Sequence, residues 1–136
     1  MNKEEKLVIL EKLVSFNTSE GNELAEAQYL QDLLLEHGIE SEIENLGNHE
    51  ANLIAEIGNG QKPVFTISGH LDTVAVDVDK WDTDPFTLVR KDGQMYGSGV
   101  TDMKGGTAAL VIAMITLKDA EFPLNGTLRL VLTAGE

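Results

Sequence analysis

A chain of 136 residues with 42% hydrophobic side chains is long enough for one domain with its own core and too apolar to be disordered. Its net charge of −13 speaks against a phosphate-binding surface for nucleic acid and against docking on an anionic membrane. There is no cysteine, so disulfides and thiolate nucleophiles are excluded, and any zinc must be held by histidine and carboxylate.

The start, Met1-Asn2-Lys3-Glu4-Glu5, is too charged for a secretory signal. The longest mostly apolar run, Ala108 to Leu117, falls short of the roughly 20 residues that span a bilayer. A cytoplasmic protein is expected. Residues 3–16 read as a helix, with Leu7, Leu10 and Val14 on one face and an Asn2/Glu5 capping box. Residues 22–37 read as a second helix with Ala27, Leu30 and Leu34 on one face, stopped by Gly38.

The period then changes. Ser41–Leu46, Asn52–Ile57 and Pro63–Ser68 are short and rich in branched residues, which predicts strands. Thr87–Arg90 and Gln94–Tyr96 flank Asp92-Gly93, a hairpin signal. Asp102–Lys118 reads as a largely buried helix, and Gly126–Thr133 as a strand. Helices interleaved with strands predict an α/β sheet covered by helices. Trp81, Phe86 and Tyr96 read as packing anchors. The chain stops at a strand terminus without a cap or covering helix, so it reads as part of a longer protein. On that reading Leu128, Leu130 and Leu132 would form an exposed apolar face, and the isolated chain would associate.

Three places carry chemistry: Gly69-His70-Leu71-Asp72, Gly97-Ser98-Gly99-Val100-Thr101-Asp102, and Gly135-Glu136. Each sits where a predicted strand or glycine-rich loop ends, the edge at which open α/β sheets bind ligands. His70 and Asp72, two apart in extended chain, suit a metal ligand and the carboxylate that orients it. They also suit a polar turn leaving a strand. Asp102 could bridge two cations or simply cap a helix. Glu136 has no pattern of its own beyond a solvated end group. The Gly97–Asp102 loop mimics a dinucleotide fingerprint, but a carboxylate replaces its third glycine and would repel a pyrophosphate. A nucleotide-binding module is therefore the weaker reading, and a cation site fits the loop better.

Several blocks in order resemble the family of acetylornithine deacetylase, succinyl-diaminopimelate desuccinylase, aminoacylase and carboxypeptidase G. They are Ser68–Val74, Lys80–Phe86, Asp92–Gly106, Leu124–Leu130 and Thr133–Glu136. The stretches around Asp102 and Leu124 look most like the succinyl-diaminopimelate desuccinylases. The resemblance covers essentially the whole chain. It implies a phosphorylase/hydrolase-like α/β catalytic domain, a mixed sheet flanked by helices, of which residues 1–136 are the N-terminal portion. The rest of that domain and a lid domain that supplies dimer contacts would lie beyond it.

The resemblance also implies roles. His70 would bind one zinc, Asp72 would orient His70, Asp102 would bridge two zincs, and Glu136 would be the general base. The Asp102–Met103 peptide would be cis. The implied activity is hydrolysis of an N-succinyl or N-acetyl amino acid or small peptide, with cobalt or manganese able to replace zinc. It implies a homodimeric, cytoplasmic enzyme of the kind used in lysine biosynthesis. Two departures stand out: Ala75-Val76 where many relatives carry proline, and Ser98 where many carry arginine. The remaining ligands of the family are absent, which leaves a second reading of an inactive domain with at most weak metal binding.

Overall fold

The computed structural model describes residues 1–135. In chain order the elements are α1 (Lys3–Ser15), α2 (Glu23–Glu36), β1 (Ser41–Gly47), β2 (Glu50–Gly58) and β3 (Val64–His70). They continue with β4 (Val89–Lys91), β5 (Gln94–Tyr96), α3 (Gly105–Asp119) and β6 (Thr127–Thr133). The capping box forms as expected. Asn2 Oδ1 accepts from the Glu5 amide at 3.0 Å, and Glu5 Oε2 accepts from the Asn2 amide at 2.5 Å. Helix α2 stops because Gly38 adopts φ 72°, which lets the Ile39 amide turn back to the Leu34 carbonyl at 2.9 Å.

Strands β1, β2, β6 and β3 form one mixed sheet in that spatial order. β2 is antiparallel to both β1 and β6, whereas β3 and β6 run parallel. Alternation fixes which face is buried: Ala51, Leu53, Ala55 and Ile57 of β2 point into the core with Leu130 and Leu132 of β6. Helix α2 lies against β1 and β2, α3 lies against β3 and β6, and α1 packs on α3. Leu13 and Val14, Ala27, Leu30 and Leu34, and Val111, Met114 and Ile115 complete the core. The other face carries Glu42, Glu44 and Glu56, with Arg129 Nε 2.6 Å from Glu56 Oε1.

The exposed face expected from Leu128, Leu130 and Leu132 does not exist. β6 has a neighbour on each side, Leu130 and Leu132 are buried, and Leu128 is half-buried. The covering helix is α3, which precedes β6 in sequence. The exposed apolar residues of the sheet are instead Leu46 of β1 and Val64 and Phe65 at the start of β3, where Phe65 is 69% exposed. Val100–Asp119 has the length and apolarity of a membrane-crossing segment. It is broken at Asp102 and Met103, whose backbone is not helical, and α3 buries Ala108, Val111, Met114 and Ile115.

The β4–β5 hairpin turns at Asp92 and Gly93, both with positive φ, as the Asp-Gly pair predicts. Tyr96 is not a core anchor: it is 44% exposed and its hydroxyl donates to Gln94 Oε1. It lines a surface cavity of about 380 Å³ with Trp81, Lys80 and Lys91. Phe86 is likewise only half-buried.

Candidate metal centre

His70 is the last residue of β3 and stands opposite Thr133 of β6 in the parallel register. The carboxyl ends of the two strands therefore coincide, and the Leu71 amide continues the ladder to the Thr133 carbonyl at 2.8 Å. This is the edge at which ligand-binding residues were expected to converge. Glu136 lies outside the described residues.

Asp102 reaches the same edge from the turn Val100–Lys104, immediately before α3. It is not the helix N-cap that composition allowed. Its backbone is extended (φ −134°, ψ 93°), α3 begins only at Gly105, and the Asp102–Met103 peptide is cis. Two glycines make the turn possible by close approach. A Cβ on Gly105 would stand 2.6 Å from the Val100 carbonyl oxygen, and one on Gly69 would stand 2.7 Å from Met103 Cε. The His70 amide faces Met103 Sδ at 3.3 Å, so the turn lies directly on the end of β3.

Across 32 residues of sequence, His70 Nε2 lies 2.9 Å from Asp102 Oδ1. The other ring nitrogen, Nδ1, lies 2.9 Å from the main-chain carbonyl of Asp72. A carbonyl only accepts, so Nδ1 donates to it; the Asp102 carboxylate also only accepts, so a proton or a cation must lie between it and Nε2. Asp72 accepts the Nδ1 hydrogen bond with its backbone. Its carboxylate Oδ1 is farther away, 3.7 Å from Nδ1, and is buried without a hydrogen-bond partner. Asp102 is 73% exposed, leaving carboxylate lone pairs open to a cation.

Behind this edge lies a buried charged cluster that sequence reasoning missed. Lys104 is 1% exposed, and its Nζ donates to the Leu13 and Phe16 carbonyls, both at 2.6 Å. Glu26, wholly buried, places Oε1 3.9 Å from Nζ, and Glu23 is buried nearby on the same helix. Burial pushes the Glu26 carboxyl up to about 8 against the opposing pull of Lys104. Burial likewise raises Glu23 and lowers Lys104, Glu26 opposing the latter shift. A sequence signal existed: Glu23 shares the i, i+4, i+7, i+11 stripe with Ala27, Leu30 and Leu34.

The donor set of an imidazole nitrogen and an open carboxylate fits zinc and its neighbours. It is a partial set. Among the described residues no group of three His, Asp or Glu side chains stands close enough to hold an ion.

Residues 66–136, which contain His70, Asp72, Asp102 and Glu136, match the model of peptidase family M20/M25/M40. The chain is 46% identical over 136 residues to the "Probable succinyl-diaminopimelate desuccinylase" of Staphylococcus aureus. That match covers 99% of this chain and 34% of the relative, so the chain spans about a third of the length of the curated relatives it matches. Its fold superposes on human carnosine dipeptidase 1 with a TM-score of 0.81 at 24% identity, covering 96% of this chain and 32% of that one. It also superposes on a dinuclear metal-binding M20 peptidase of Bacillus subtilis with a TM-score of 0.71 at 22% identity, covering 98% and 35%. More than half of the chain, including both residues of the His70–Asp102 pair, thus falls within the family match, and the chain belongs to peptidase family M20/M25/M40.

Proposed function

We propose that residues 1–136 are the N-terminal portion of the catalytic domain of a metal-dependent amidohydrolase. Its substrate is an N-acyl amino acid, N-succinyl or N-acetyl, or a small peptide. The observation that carries this reading is the 2.9 Å approach of His70 Nε2 to Asp102 Oδ1 at the carboxyl edge of β3. His70 and Asp102 would hold zinc, with Asp102 shared between two ions, and cobalt or manganese suits the same donors. Bound there, such ions supply Lewis acidity and a water of lowered pKa.

The chain's own residues do the rest. The Asp72 carbonyl holds the His70 ring in the tautomer that presents Nε2. Glu136 is assigned as the general base, taking a proton from the attacking water and passing it to the leaving amine. That role rests on the family resemblance at the strand end that follows Thr133. Further ligands, a lid and the dimer contacts would come from the remainder of a cytoplasmic, homodimeric enzyme. A succinyl-diaminopimelate substrate, as in the name of the Staphylococcus aureus relative, would place it in lysine biosynthesis.

The test uses the complete gene product with N-succinyl and N-acetyl amino acids. Hydrolysis should disappear on chelation and return with zinc or cobalt. Glu136→Ala should lower kcat by roughly 10²–10⁴-fold while leaving bound metal in place. Hydrolysis indifferent to chelation would overturn the metal reading, and full activity of Glu136→Ala would overturn its assignment as base. The absence of a three-ligand group among the described residues favours a second reading for the isolated chain: weak metal binding and no turnover.

A further inference from the structure

His70 and Asp102 sit on different elements, so something must set the distance between them. Both of their segments are tied to one short stretch, the end of α1 and the connector after it. On one side, the buried Thr18 Oγ1 donates to the Leu71 carbonyl at 2.8 Å. The Thr73 amide donates back to the Thr18 carbonyl at 3.2 Å. These two bonds clamp the residues that follow His70.

On the other side, the Lys104 ammonium donates to the Leu13 and Phe16 carbonyls. A cation at the carboxyl end of a helix is favoured by the helix dipole. Lys104 lies two residues after Asp102, and its own amide donates to the Gly99 carbonyl at 2.7 Å, closing the turn that presents Asp102. The two halves also touch. A Cβ on Gly99 would stand 2.5 Å from Thr73 Cγ2 and 3.4 Å from Lys104 Cγ.

We infer that Thr18 and Lys104 are positioning residues: Thr18 ties the Leu13–Thr18 stretch to the segment after His70, Lys104 ties the same stretch to the turn that carries Asp102, and together they set the spacing of His70 and Asp102. The inference rests on the proposed metal role of that pair. The Glu26 carboxyl also faces Lys104, with Oε1 3.9 Å from Nζ.

The test uses the complete gene product and reads fold and metal affinity separately. Thr18→Val keeps the shape and removes the donor, whereas Thr18→Ser keeps the donor. Lys104→Met is made together with Glu26→Gln, so that no charge is left unpaired. Denaturant melts of the metal-free protein report folding, and competition with a chromophoric chelator reports zinc affinity. Thr18→Val and the double variant should fold yet bind zinc about 10-fold or more weakly, the usual effect of losing an outer-shell partner. Thr18→Ser should bind as the parent does. Parental zinc affinity in folded Thr18→Val would overturn the inference, and this comparison decides alone if the double variant does not fold. A parent that binds no zinc would instead overturn the proposed function, and with it this inference.

Discussion

Lys104 Nζ lies 3.9 Å from Glu26 Oε1, and the two partners are unequally satisfied. The ammonium has two short carbonyl acceptors, whereas neither Glu26 oxygen has a hydrogen-bond partner. Burial dominates at Glu26, with Glu23 and Asp72 adding repulsion, and the carboxyl is pushed up to about 8. A raised carboxyl pKa means that the folded state holds a proton the unfolded chain has already released.

The pH dependence follows with a definite sign. Between about 4.5 and 8 the folded state binds more protons than the unfolded one at this site. Glu26 therefore makes stability fall as pH rises, by up to roughly 1.4 kcal/mol per pH unit. Lys104, lowered by burial, acts with the opposite sign toward higher pH. Urea melts of the metal-free protein at pH 5, 6.5 and 8 should show a steeper decline for the parent than for Glu26→Gln. Equal slopes would mean that Glu26 is not the titrating group.

Gly105→Ala should be destabilising although alanine is the better helix former. The added Cβ would meet the Val100 carbonyl oxygen at 2.6 Å, a backbone atom that cannot swing aside. A loss of about 1–3 kcal/mol is expected. The urea midpoint measures it, and an unchanged or raised midpoint would show that the turn before α3 has room to spare.

Leu130→Ala and Phe65→Ser should separate the two ends of the apolar scale. Leu130 is fully buried between β2 and β3, so its truncation should cost about 2–5 kcal/mol. Phe65, mostly exposed on an edge strand, should change stability by no more than about 0.5 kcal/mol. Comparable losses for both would contradict the burial of β6.

Most elements were legible because each is governed by local rules. The Asn2/Glu5 box, the Gly38 stop and the Asp92-Gly93 turn all formed where residue chemistry placed them. The start of α3 was misread because Asp102 suits a helix cap as well as it suits a ligand, and only the turn's backbone decides between them. The closeness of Asp72 to His70 was legible from their spacing of two, but which Asp72 oxygen meets Nδ1, the main-chain carbonyl at 2.9 Å or the carboxylate at 3.7 Å, was not. The buried Thr18, Glu26 and Lys104 network joins residues far apart in sequence, and no local pattern encodes such contacts. The burial of Leu130 and Leu132 was not legible because the helix that covers β6 precedes it in sequence, and no local pattern in the strand announces it.

The position of β6 in the sheet has a consequence for synthesis. β3, which ends in His70, pairs only with β6 among the described strands, and β6 is the last of them to leave the ribosome. During translation, the edge of β3 that pairs with β6 waits through the β4–β5 hairpin and all of α3 before that partner arrives. Parallel pairing across such a separation is slow and aggregation-exposed. The segment that carries His70 is therefore the one a nascent chain has most need to shield, by a chaperone or by early docking of α3.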